Sequence, residues 1–408
     1  MTTLTKNAPP AAEPRPWLDR LRQRLGRPEF ASLPVLVGLA VVWIFFQLAN
    51  PNFLTSLNLS NLVLQIAAVG TIAIGLVLVL LLGEIDLSVG AVSGLAAAVM
   101  AVLNVRYGVA GGLAVLAGLG TGLLIGLLHG TWITKLRIPS FIVTLAGLLG
   151  WQGVLLYVLG TTGTVNLRDP FILGLAGTFL KRDLPNGELL SWVLAAGFAL
   201  LFSAGQVWER RQRLAAGLAA RPRGVILAQS LLVAAGLLGA TAILNADRGL
   251  PSALIFFLGL AAVFDLVVRR TSFGRHILVI GGNVEAARRA SLHVDAVRIA
   301  VFGLASMLAA FGGILAASRL LAVHQSSGSG DVLLNAIAAA VIGGTSVFGG
   351  RGGVWSAVLG ALVIGSIANG MVLLAAPAPA QLMATGAALL TAVTVDAVAR
   401  RGREAAGA

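Results

Sequence analysis

The chain has 408 residues, is 57% hydrophobic with a mean hydropathy of +0.92, and only 11% of it is charged. A soluble chain carries about a quarter of its residues as charge, so this composition excludes an ordinary soluble protein and points to a polytopic, all-α membrane protein. Cysteine is absent, which excludes disulfides, thiolate metal sites and a cysteine nucleophile.

In chain order, the first element is a polar, arginine-rich tail over 1–30. The apolar run behind it is long and lacks a clear small-residue cleavage site, so it predicts a retained span and not a removed signal. Residues 31–399 read as one transmembrane domain with spans at 33–49, 59–82, 87–103, 109–130, 139–160, 189–207, 225–244, 250–268, 299–321, 332–348, 354–375 and 381–398, about twelve in all. Frequent glycine and alanine suit helices that approach closely in lipid. A second short tail, 400–408, closes the chain.

The connections carry the polar chemistry. Gly83-Glu84-Ile85-Asp86-Leu87-Ser88-Val89-Gly90 sets two carboxylates between apolar runs. Ionisable groups near membrane depth are costly, and are kept where they face protein or water. Glu84 and Asp86 therefore predict either a pathway site or a structural lock on a re-entrant turn, and the lock is the preferred reading. Residues 161–188, with Asn166, Arg168, Asp169, Pro170 and Lys181-Arg182-Asp183, read as a cap over one mouth or as a solvated connector. In the loop 269–298, Asn283 suits a helix N-cap, and Glu285 followed by Arg288 and Arg289 complements the helix dipole. This predicts a short amphipathic helix along the membrane surface, with Gly281 and Gly282 turning the chain before it. Such an element docks a partner or simply joins two spans.

The glycine-rich run 343–353 predicts a tight turn between close-packed spans, capped by Thr345 and Ser346. It is not a P-loop, which needs a lysine after glycine, because none of Lys6, Lys135 and Lys181 follows one. His129, His276, His293 and His324 have no metal-ligand spacing, which argues against a metal site. No nucleophile accompanies the two carboxylates, so the chain reads as no enzyme.

Charge placement fixes the expected orientation. With the amino terminus inside and sides alternating, 23 of the 29 basic residues fall in cytoplasmic segments, while Arg106, Arg168, Lys181, Arg182 and Arg248 fall outside. Positive charge concentrates on the cytoplasmic side, so both termini are expected there, with the basic surplus contacting anionic lipid and not nucleic acid. Polar residues at membrane depth, Asn61, Gln65, Ser88, Thr144, Asn335 and Asn369, are candidates for lining a solute pathway. The alternative for each is an interhelical hydrogen bond worth about 0.6 kcal/mol.

Four blocks, in order, carry a family resemblance: residues 83–90; Ile138-Pro139-Ser140-Phe141-Ile142-Val143-Thr144-Leu145; Phe273-Gly274-Arg275 with Gly281-Gly282-Asn283 and Glu285-Ala286-Ala287-Arg288; and the run from Asn335 through Gly343-Gly344-Thr345-Ser346 to Gly350. The sequence resembles the sugar-permease branch of bacterial ABC importers, the membrane subunits of ribose and xylose systems. The resemblance implies a multi-pass protein of the bacterial inner membrane, paired with a second permease copy. It also implies separate ATP-binding cassette subunits that bind ATP and Mg, a periplasmic sugar-binding protein, and no cofactor in this chain. It assigns Gly281, Gly282, Asn283, Glu285, Ala286, Ala287 and Arg288 to a coupling helix that meets the ATPase. The family continues with Ser-Gly-Ile where this chain has Ser291-Leu292-His293, a departure in the turn after that helix. An additional two-span stretch, 189–244, joined by the arginine-rich loop 209–223, resembles the architecture of the xylose permeases and places D-xylose first among sugars. The rival readings are a stand-alone ion-coupled sugar carrier that uses Glu84 or Asp86, and a membrane scaffold.

Overall fold

The computed structural model describes residues 33–405, and the tail expected over 1–30 lies outside the described residues. The first apolar helices are α1 (Leu33–Ala49), α2 (Ser56–Leu81), α3 (Val89–Val105), α4 (Gly111–Lys135) and α5 (Ser140–Leu159). A connection then holds β1 (Thr164–Asn166), α6 (Pro170–Gly177) and α7 (Leu180–Asp183). Next come α8 (Gly187–Ala215), α9 (Arg223–Asn245) and α10 (Ser252–Arg270), followed by the short α11 (Ser272–Gly282) and α12 (Val284–Arg289). The chain closes with α13 (Val294–Leu320), β2 (Ala322–His324), α14 (Gly330–Ile342), α15 (Val354–Leu373) and α16 (Ala378–Ala405). Each expected span thus has its helix, and α16 runs into the stretch expected as a tail from residue 400.

Eight of these helices are long and apolar enough to cross a membrane. The run expected as a span over 332–348 is a correction: its helix, α14, stops at Ile342 after 13 residues. Gly344, Gly349, Gly350 and Gly352 then take positive φ, a conformation that ends a helix whatever the hydropathy of Val347 and Phe348. At 1.5 Å per residue, α14 covers about 20 Å against a hydrocarbon core of about 30 Å. The missing depth is filled by consecutive turns, closed by hydrogen bonds from the Ser327 and Ser329 N–H groups to the carbonyls of His324 and Ser326. Residues 325–329 run down beside α3, where Gly328 lies against Gly90 and the Ser327 carbonyl lies against Gly94. A two-stranded antiparallel ribbon, β1 with β2, stands at the entry to this segment and pairs Thr164 with His324.

The centre of the bundle is α2 and α13. α2 is apolar on every side and buried along most of its length, as expected of a helix surrounded by others. α13 packs against α2, α3 and α4. Lipid gives helices no hydrophobic reason to associate, so close packing of small residues does that work. Here α4 meets α13 through Gly122, Gly126 and Gly130, one turn apart on one face. A Cβ on Gly130 would lie 2.7 Å from the Ile299 Cα.

Candidate functional site

The end of the bundle that carries most of the arginines is built around a joint of backbone on backbone. After α2 the chain turns at Gly83, with φ +75°. The Leu81 carbonyl accepts a 2.9 Å hydrogen bond from the Gly350 N–H. Gly281 presses on the same place: a Cβ there would collide with the Leu81 carbonyl oxygen and lie 2.7 Å from the Gly350 nitrogen. A Cβ on Gly349 would stand 2.7 Å from the Gly281 carbonyl oxygen and 2.9 Å from the Gly83 Cα. Three segments far apart in sequence thus meet where only glycine fits. The glycine-rich run makes the tight turn expected of it, and Ser346 Oγ accepts from the Phe348 N–H at 3.2 Å.

From this joint α12 projects. Gly281 and Gly282 do not turn the chain as expected; they form the last turn of α11, and the turn falls on extended Asn283. The expected cap is present, with Asn283 Oδ1 accepting from the Ala286 N–H at 2.9 Å. Ala287 is fully buried, whereas Glu285, Ala286, Arg288 and Arg289 are exposed, so the short helix is anchored by one face and presents the other. The departure at 291–293 is absorbed without glycine at 292. Ser291 itself takes the left-handed conformation at φ +58°, and the N–H groups of Ser291 and Leu292 donate to the carbonyls of Arg288 and Ala287 in a Schellman cap. A β-carbon disfavours that conformation by about 1–2 kcal/mol. Ser291→Gly is expected to raise stability by about 1 kcal/mol, read as a higher midpoint in thermal unfolding in detergent.

The two carboxylates have different surroundings. Glu84 Oε1 pairs with Arg298 Nη2 at 2.7 Å, both side chains largely withdrawn from solvent. Asp86 is fully buried, and its Oδ1 accepts from the Ser88 N–H at 2.8 Å and the Ser88 hydroxyl at 2.6 Å. Ser88 Oγ lies 3.4 Å from His129 Nδ1, and Trp151 Nε1 donates to His129 Nε2 at 2.9 Å. Indole is a donor only, so Nε2 must accept and the imidazole proton sits on Nδ1, facing Ser88. The break between α2 and α3 is fastened to α5 as well: Thr144 Oγ1 accepts from the Leu87 N–H at 3.1 Å and donates to the Ser140 carbonyl at 2.9 Å. The arrangement holds a non-helical stretch in place by satisfying its backbone groups, which membrane depth requires.

The remaining candidates are scattered. Asn369 and Asn58 exchange two amide hydrogen bonds, 2.8 and 3.1 Å, between buried side chains of α15 and α2. Asn61 is exposed and accepts from Arg248 at 3.3 Å. Gln65 and Asn335 are half-buried and make no side-chain hydrogen bond among the described residues. Glu84, Asp86, Ser88 and Thr144 belong to one region, whereas Asn61 and Asn369 lie at the opposite end of the bundle. His129, Trp151, Arg298 and Asn58 escaped the sequence reading. Histidine was weighed there only as a metal ligand, although a lone imidazole inside an apolar helix is itself a sign of a buried network.

At that opposite end, the stretch expected as cap or connector is structured. Asp169 caps α6, and Arg182 hydrogen-bonds Asp183, holding that carboxyl below the usual carboxylate range. A cavity of about 660 Å³ opens there, lined among others by Asn104, Arg106, Thr164, Asn166 and Asp169. No cluster of metal-ligating side chains occurs among the described residues.

Known proteins place these features. The family model described as "Branched-chain amino acid transport system / permease component" matches residues 58–393. The Xylose transport system permease protein XylH of Haemophilus influenzae is 36% identical over 305 residues, covering 74% of this chain and 79% of its own. XylH of Escherichia coli K12 is 35% identical over 292 residues, covering 71% and 72%. The Ribose import permease protein RbsC of Bacillus subtilis is 31% identical over 321 residues, covering 78% and 76%. No solved structure matches the chain. By these matches the chain belongs to the permease family of ABC transporters, as one of its multi-pass sugar permeases of the inner membrane.

Proposed function

We propose that this chain is the membrane subunit of an importer that moves a monosaccharide inward, D-xylose first among candidates, by alternating access. The basic end and both termini face the cytoplasm, as the concentration of arginine at that end supports. Two copies form the pathway, and a periplasmic binding protein delivers the sugar. Separate ATP-binding cassette subunits bind ATP and Mg and drive the cycle. The observation that carries this reading is the joint of Gly83, Gly281 and Gly349: it ties the exposed helix α12 directly to the ends of α2 and α15. Glu285, Ala286 and Arg288 are the surface offered to the ATPase; Gly281, Asn283 and Ala287 position it, while Gly282 only completes the last turn of α11. D-xylose is supported by the names of the relatives and by the α8–α9 pair, the two-helix stretch that resembles xylose permeases. An ion-coupled carrier is the poorer fit, since Glu84 already has a cation partner and Asp86 is enclosed by protein.

The test is uptake of labelled xylose into vesicles that hold this chain, with and without its cassette ATPase and binding protein. Uptake is expected to require both partners and ATP, and to fall at least about tenfold for Glu285→Ala with Arg288→Ala, two exposed groups at a protein interface. Uptake by the chain alone, driven by an ion gradient, would overturn the proposal.

A further inference from the structure

The helices α8 and α9 form a hairpin at the rim of the bundle, packed chiefly on each other. Their outward faces carry exposed Leu189, Leu200, Leu201, Leu227, Leu231 and Leu232, apolar side chains suited to lipid. Residues 187–207 of α8 rise about 30 Å, the full depth of the hydrocarbon layer. Trp208, which is 54% exposed, therefore stands at the boundary, where indole rings concentrate. Beyond it α8 continues into the aqueous side with Arg210, Arg211 and Arg213. Arg221 and Arg223 return the chain to the same level as α9 begins, and Arg269 and Arg270 end α10 beside them.

Seven arginines thus share one plane, and two of them are paired with carboxylates: Arg213 with Glu209 at 3.4 Å and Arg269 with Asp265 at 2.8 Å. Others are held by groups that carry no charge, with Asp265 as the one carboxylate near Arg270 among the described residues. Arg221 donates to Gln206 Oε1 at 3.0 Å, and Arg210 donates to the Arg221 carbonyl at 3.2 Å. Arg270 donates to Gln212 Oε1 at 3.2 Å while its guanidinium stacks 4.5 Å over the Trp208 ring. Arg211 and Arg223 make neither side-chain hydrogen bond nor ion pair among the described residues. Amides, a carbonyl and an aromatic ring thus hold these cations in place, and among the described residues none of Arg210, Arg211, Arg221 and Arg223 has a carboxylate in ion-pair contact.

We propose that this cluster is a binding site for the phosphate headgroups of anionic phospholipids, and that through Arg270 it fastens the entry of the loop 269–298 to the membrane surface. Guanidinium groups fit phosphate oxygens in paired hydrogen bonds, and basic groups at the cytoplasmic boundary attract anionic lipid. The site rests on the proposed function only for its orientation. Its place on a lipid-facing hairpin, with an indole at the boundary, favours lipid over a second protein contact.

The experiment uses the full chain in vesicles of phosphatidylcholine with phosphatidylglycerol, extracted into neutral detergent and weighed by native mass spectrometry for retained lipid. Phosphatidylglycerol is expected to be retained over phosphatidylcholine and not displaced by inorganic phosphate. In the variant Arg210→Gln/Arg211→Gln/Arg223→Gln, retention is expected to fall at least about tenfold. The matching lysine variant controls for folding: it should keep the unfolding midpoint and much of the retention. Equal retention by the glutamine variant overturns the proposal. So does displacement by inorganic phosphate, which would mark a site for a free anion. Unchanged lipid with lost co-purification of the cassette ATPase would assign the cluster to a protein partner instead. The readout is bound lipid, so failure of the transport proposal would show in the uptake assay and not here.

Discussion

Gly281→Ala is expected to disable the protein, while Gly282→Ala beside it should be nearly silent. A Cβ at 281 would collide with the Leu81 carbonyl and crowd the Gly350 amide, both backbone atoms with no rotamer to yield; one at 282 meets nothing within 4 Å. Overpacking against movable side chains costs about 1–3 kcal/mol, and main chain has less room to relax, so the upper end or more is expected at 281. The checks are the thermal midpoint of the purified chain and partner-dependent uptake. Both should fall sharply for Gly281→Ala, and neither should move beyond the effect of an ordinary surface substitution for Gly282→Ala. Equal effects at the two positions would mean that the backbone joint is not what positions α12.

Arg298→Ala should be the second costly change. It leaves the Glu84 carboxylate largely enclosed with no cation. Removing one partner of a fully buried pair costs about 3–5 kcal/mol, and the partial exposure here, 17% and 14% for the two side chains, lowers the expectation to about 2–3 kcal/mol. Glu84→Ala with Arg298→Ala should be milder than Arg298→Ala alone, because the stranded charge goes with its partner. A double-mutant cycle on the unfolding midpoint measures the coupling, expected at about 1–3 kcal/mol. The same variants bear on transport. If Glu84 serves only as a lock, the double variant retains uptake that depends on ATP and on both partners; loss of uptake with the unfolding midpoint retained would make the carboxylate part of the pathway.

Helix existence was readable from hydropathy because it depends on local composition: the span expected over 33–49 has the bounds of α1 itself. The N-cap at Asn283 was equally local, since a cap needs only its own side chain and the next turn. Where the reading failed, the cause lay elsewhere in the chain. The overshoot past Ile342 came from counting Val347 and Phe348 as span when the glycines between had already broken the helix. Gly281 looked like a turn residue in isolation, and its actual constraint is the Leu81 carbonyl and the Gly350 amide. Glu84 and Asn369 were marked as interesting, but Arg298 and Asn58, which explain them, are distant in sequence. Single-sequence periodicity holds no information on such pairs. The short capped helix at Val284–Arg289 was legible because its signals are contiguous, and the Asp86–Ser88–His129–Trp151 network was not because it draws on three separate regions.

The shortness of α14 bears on how the chain enters the bilayer. A helix that covers about 20 Å, with Asp331 in its first turn, is a poor candidate for partition into lipid on its own. The ends of such a segment would expose unpaired backbone groups to hydrocarbon. Its natural escort is α15, against which it packs so closely that Gly360 lies on the Ala339 carbonyl and Gly343 on that of Ser356. Length and Asp331 together lead to an expected order of insertion: α14 should enter the bilayer only with α15, as a pair. Bulk at Gly360 would then act before the protein is ever folded, lowering the yield of inserted chain as well as the stability of what inserts.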